Sequence, residues 1–136
     1  MIEKATNPQL RSGLEQHLAE SRNHVLRVEQ VFQMHGIERQ TVDSPAIDGI
    51  LEEADDIASD VDNKEVLDAA LIAAAQAAEH YEITRYGALV AWAKQLGRSD
   101  CASVLHQNLE EEKAADEKLT RITESKVDLE AANSAV

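Results

Sequence analysis

With 136 residues and a formal net charge of −13, the chain has the length of one domain and lacks the basic stripe that neutralises phosphates, which argues against nucleic acid and anionic membrane surfaces as partners. Its residues are 43% hydrophobic but 3% aromatic, with five Gly and two Pro. The core must therefore be built from Ala, Leu, Ile and Val on regular elements, a helical composition.

The first predicted helix spans about residues 8 to 35, roughly 42 Å at the helical rise. Thr6 or Asn7 can cap it, Pro8 suits its first position and Gly36 closes it. Its apolar seam is Leu14, Leu18, Ser21, Val25, Val28 and Phe32, with Glu20 and His24 one turn apart on the seam's edge. Ser44 and Pro45 open a shorter helix that ends near Asp62 and carries one apolar face, including Ile47, Ile50, Leu51, Ala54, Ile57, Ala58 and Val61. Residues 43 to 68 hold ten acids against only Lys64. They read as a solvated face, or as an acidic surface that gathers cations.

Asp62 or Asn63 begins the longest predicted helix, about residues 64 to 96, which Gly97 terminates. The turn "GRSD" is short, so the next helix, about 100 to 124, packs antiparallel to it. The tail 125–136 loses periodicity and reads as frayed or disordered beyond a single helical domain, 1–124.

The informative anomaly lies on the seams. In the longest helix the stripe Leu71, Ala75, Glu79, Glu82, Tyr86, Leu89, Ala93, Leu96 carries two carboxylates. In the last helix the stripe Leu105, Leu109, Glu112, Asp116, Leu119, Thr123 carries two more. A buried ionised carboxylate is costly unless paired or bound to a cation, so either these faces are wet or a cation sits against them. Three helices interrupted at comparable depth favour the cation. Divalent metals take oxygen donors with imidazole from facing helices of a bundle, and the candidate ligands are Glu20, His24, Glu79, Glu82, Glu112 and Asp116. His17, His35 and His106 read as structural or exposed, and His80 as a surface or partner contact. Tyr86 is a core tyrosine or hydrogen-bonds a ligand, and Trp92 reads as an interface or packing anchor.

No run of about 18 apolar residues and no signal-peptide pattern occurs, so a cytoplasmic location is the default. Cys101, a lone cysteine, reads as a small, partly buried residue.

"LDAALIAAAQAAEHYEITRYGALVAWAKQLG" (67–97), with "LEQHLAESRNHVLRVEQVF" (14–32) and "LEEEKAADEKL" (109–119), resembles the YciE/YciF-like bacterial stress proteins, a branch of the ferritin-like superfamily. The resemblance covers nearly the whole chain. It implies an all-α, ferritin-like antiparallel bundle of three long helices and one shorter crossover helix, with a dinuclear iron site, or Mn or Zn, at Glu20, Glu79, Glu82, Glu112 and Asp116. His24 stands where relatives carry glutamine. The family also has a long helix before the "KATNPQL" turn, of which only "MIEKAT" stands here, too short to reach the core as a helix. Exposure of one side of the seam, with Leu14, Leu18, Val25, Leu71, Leu89 and Leu109, is therefore expected to lead to a homodimer. Oxygen- or peroxide-linked iron oxidation and a non-catalytic helical stress or interaction protein with a vestigial site are the two functional readings.

Overall fold

The computed structural model describes residues 1–127 and 132–133. Among the described residues, four long helices make the fold: α1 (Pro8–Met34), α2 (Pro45–Asp60), α3 (Lys64–Gln95) and α4 (Ser99–Ile122). A π-helical turn over Thr123–Val127 extends α4. No strand occurs among the described residues. Of the predicted frayed tail, positions 128–131 and 134–136 lie outside the described residues.

The helix ends follow their local chemistry. The Asn7 side chain accepts from the N–H groups of Gln9 (2.9 Å) and Leu10 (3.1 Å), and Asn63 caps α3 through the Val66 N–H (2.9 Å). These bonds satisfy donors that have no partner inside the helix. Gly36 and Gly97 adopt φ of 70° and close α1 and α3, a conformation glycine reaches without a Cβ penalty. Arg98 reaches back across the turn and donates to the Met34 carbonyl (2.8 Å), satisfying an acceptor at the end of α1.

α1 packs on α4, α4 on α3, and α2 on α3. The start of α4 meets the end of α3, and the end of α4 meets its start, so the pair is antiparallel. The core has two apolar layers. Near the start of α1 they are Ala5, Leu10, Leu14, Ala58, Leu71, Ile72, Ala75, Leu119 and Ile122, and at the other end Val90, Ala93, Cys101, Ala102, Leu105 and Leu109. Fully buried Leu10 and Leu71 each stabilise the fold by roughly 2 kcal/mol. Between the layers lies a belt of histidines and carboxylates.

Three expectations need correction. The face that α1 buries is rotated from its predicted seam: Leu18 and Val25 are 45% and 53% exposed, while His24 is 3% exposed. The reason is that α1 rests against α4 alone among its major contacts. Of the apolar strip expected to be open, Leu18, Val25 and Leu89 are exposed, whereas Leu14, Leu71 and Leu109 are buried. The N-terminal residues form no helix, as expected, and pack as a turn in which the Lys4 and Ala5 N–H groups bond the Met1 carbonyl (both 3.1 Å) and Ala5 is 1% exposed. Asp68, read as part of an acidic face, is 4% exposed and receives three hydrogen bonds from Thr6 and Asn7.

Candidate metal centre

The belt is assembled from three helices because each places titratable residues at the same height between the two apolar layers. His17 comes from α1, Glu79 and Glu82 from α3, and Glu112 from α4. One ligand-capable atom from each of these four residues lies within 4.8 Å of all the others. His17 Nε2 is 2.7 Å from Glu79 Oε1 and 3.6 Å from Glu112 Oε2. His24 Nδ1 is 2.7 Å from Glu112 Oε1, but off the line of a ring N–H, and neither Glu112 oxygen has an aligned donor. Glu79 Oε2 is likewise buried without a partner.

The electrostatics follow from this crowding. The Glu79 carboxylate, against the opposing effect of burial, lifts the His17 imidazole to about 9. Burial, then repulsion from Glu112, pushes the Glu82 carboxyl up to about 7. Burial, with Glu79 adding to it, also raises Glu112. For His24 burial works downward, yet Glu112 and Glu111 together outweigh it and raise the imidazole. Burial, then Glu82, lifts the Tyr86 hydroxyl to about 12, which keeps it a neutral donor beside the belt. The centre is thus a set of carboxylates and imidazoles that compete for protons, with three carboxylates drawn to one point.

Of the six residues singled out by spacing, Glu79, Glu82 and Glu112 meet in the cluster and His24 adjoins it through Glu112. Glu20 lies at the edge, 3.7 Å from His17 Nδ1 and hydrogen-bonded to Gln16 (3.0 Å). Asp116 is not brought in. One turn beyond Glu112, it accepts from Gln76 (3.2 Å) and faces His80 (3.1 Å) at a different level of the bundle. His17, which reads as structural or exposed in the sequence, instead stands inside the cluster. Its spacing of seven before His24, two turns on one stripe, was the available signal.

Two openings reach the pair His17 and Glu79. One is a cavity of about 310 Å³ between α1 and α4, with Gln16 and Lys118 on its wall. The other is a groove of about 560 Å³ bordered by Leu18 of α1, Ile47 and Leu51 of α2 and Ala78 of α3.

A family profile described as "Domain of unknown function (DUF892)" matches residues 1–132. The chain belongs to the DUF892 family. It is 40% identical to Protein YciF of Escherichia coli (strain K12) over 131 residues, 96% of this chain and 79% of YciF. Among solved structures, the E. coli stress protein YciF superposes with a TM-score of 0.88 at 38% identity, covering 93% of this chain and 80% of that one. YcfI from Rhodopseudomonas palustris, for which a structural role has been suggested, superposes with a TM-score of 0.86 at 51% identity, covering 88% and 76% of the two chains. The resemblance to YciF-like proteins read from residues 67–97 is confirmed, and the helical architecture of this DUF892 chain is the one those structures share. Among its described residues no helix is long and apolar enough to cross a membrane.

The donor set suits a divalent cation. Oxygen ligands with an imidazole are what iron, manganese and zinc accept, and Glu79 Oε2 and both Glu112 oxygens are buried with no hydrogen-bond partner.

Proposed function

We propose that this DUF892 protein binds iron, or a similar divalent metal, through His17, Glu79, Glu82 and Glu112, with His24 able to join them beside Glu112. The observation that supports this reading is the convergence of three carboxylates at one buried point with oxygens left unpartnered. Two apolar layers could have been one continuous core at lower electrostatic cost. A metal bound there would supply Lewis-acid or redox chemistry toward oxygen or peroxide. The chain's own residues would then contribute charge compensation, a half-buried surround that limits water, and an imidazole able to hold a proton. A role in stress response, as in the E. coli relative, is part of the same proposal.

One observation favours a second reading. His17 and His24 stand against Glu79 and Glu112, so protonated imidazoles can neutralise the site with no metal, as expected of a vestigial centre in a non-catalytic interaction protein. Anaerobic Fe(II) loading followed by desalting and elemental analysis separates the two. Stoichiometric retention, lost in a Glu79→Gln, Glu112→Gln double variant, supports metal binding. No retention leaves the imidazole-neutralised centre.

The same proposal includes self-association. Leu18 and Leu51, both 45% exposed, flank the groove that leads to Glu79. Apolar rims of this kind are covered by a partner in obligate assemblies, and a second copy related by a two-fold axis is the economical one.

A further inference from the structure

His24 is gripped from the side opposite the cluster. Glu111, next to Glu112 on α4 and so about 100° around the helix, lies 3.1 Å from His24 Nε2 through its Oε2. The Arg27 guanidinium forks onto the same carboxylate, through Nη1 to Oε2 and through Nη2 to Oε1 (3.3 Å). Arg27 Nη1 also donates to Asn108 Oδ1 (3.0 Å), and the fully buried Asn108 donates to the His24 carbonyl (3.1 Å). His24 is therefore held by ring and by backbone in one closed circuit of hydrogen bonds.

The circuit has a direction. A carboxylate engaged by a guanidinium only accepts, so the His24 Nε2 must be the donor to Glu111. The other ring nitrogen, Nδ1, is then the one left facing Glu112 Oε1, 2.7 Å away. We infer that Glu111, locked by Arg27, is a positioning residue that sets the His24 ring with Nε2–H outward and Nδ1 presented to the carboxylate cluster as a metal donor. Metal-binding histidines are commonly oriented in this manner, by a carboxylate on the nitrogen remote from the ion. The inference rests on the metal-binding reading above for its consequence and on the hydrogen-bond circuit for its geometry. It also gives Arg27 of α1 and Asn108 of α4 a purpose where the two helices face each other outside the apolar layers.

The test compares Glu111→Ala with Glu111→Gln in the full chain, using Co(II) as the probe. In the alanine variant Co(II) affinity falls about ten- to a hundred-fold, the usual cost of removing such a carboxylate, and the visible absorption of bound Co(II) changes. The glutamine variant stays close to wild type, because its amide oxygen still accepts the Nε2–H. A merely structural role would not produce this rescue. Equal affinity and spectra in all three proteins overturn the inference, as does equal loss in both variants. The ring itself is read in metal-free protein by ¹⁵N NMR, where a protected Nε2–H is present in the wild type and the glutamine variant and exchanges rapidly in the alanine variant. Wild-type protein that takes up no Co(II) would refute the metal reading alone. The NMR comparison then still decides the positioning role, with equal protection in all three proteins counting against it.

Discussion

His17 on α1 and Glu79 on α3 meet at 2.7 Å between two apolar layers, and this contact links stability to pH. The imidazole is raised from 6.5 to about 9, so its stabilisation is complete below its unfolded value and is lost as pH rises through about 9. Glu82 is raised from 4.5 to about 7. Its protonated form is the one the fold favours, so its contribution is present below the unfolded value and is lost as pH rises through about 7. Both slopes have the same sign. The metal-free protein is expected to lose stability steadily from about pH 5 to about pH 9 in denaturant melts at constant ionic strength. The upper part of that slope should flatten in His17→Gln. An unchanged profile in that variant would remove the contact from the account.

Metal should reverse part of this loss. A ligand that binds only the folded state stabilises it by about 2.7 kcal/mol at a hundredfold excess over Kd, or roughly 10 °C in Tm for a chain of this size. Calorimetry with Fe(II), Mn(II) or Zn(II) should show the shift in wild-type protein and not in Glu82→Gln. Equal shifts in both would place the metal elsewhere, most simply on the acids of segment 43–68.

Removing the anomaly should relieve strain in the metal-free state. Burial and Glu112 both disfavour an ionised Glu82, so Glu82→Leu is expected to raise metal-free stability at pH 8 by on the order of 1 kcal/mol while abolishing metal retention. Helical content by circular dichroism should be unchanged. A large destabilisation would mean that the charge is structurally required.

Asp68 is the contrary case, an acid whose burial is satisfied. It accepts from the Thr6 N–H (2.7 Å), the Thr6 hydroxyl (2.6 Å) and the Asn7 N–H (2.8 Å), tying the entry of α1 to α3. Asp68→Ala strands these donors and should cost about 2–3 kcal/mol in urea melts. Asp68→Asn, which still offers one acceptor oxygen, should cost less.

Self-association is checked at the groove. If a second copy covers Leu18 and Leu51, sedimentation equilibrium at micromolar concentration gives a dimer, burying on the order of 2,000 Å², and Leu18→Lys with Leu51→Lys gives a monomer. A wild-type monomer that binds no hydrophobic dye would show that the exposed leucines need no partner.

Helix number, length and ends were legible in the residues because caps, Pro at the first turn and Gly at the last are local chemistry. Gly36 and Gly97 act where their positions suggested, and Asn7 and Asn63 prove to be the caps from the pairs Thr6 or Asn7 and Asp62 or Asn63. So was the presence of Glu79, Glu82 and Glu112 on interrupted seams, since the 3.6-residue period places residues on one stripe whatever surrounds the helix. Periodicity does not say at which angle a helix meets its neighbours. That angle was decided by packing: α1 rests on α4, which turns Leu18 and Val25 outward and brings His17 and His24 to the carboxylates. Height along the bundle was decided in the same way, since one turn separates Glu112 inside the cluster from Asp116 beside Gln76 and His80. Asp68 and Glu111 became legible only in three dimensions, because Thr6 lies 62 positions from Asp68 and Arg27 lies 84 from Glu111, distances over which no local pattern carries information.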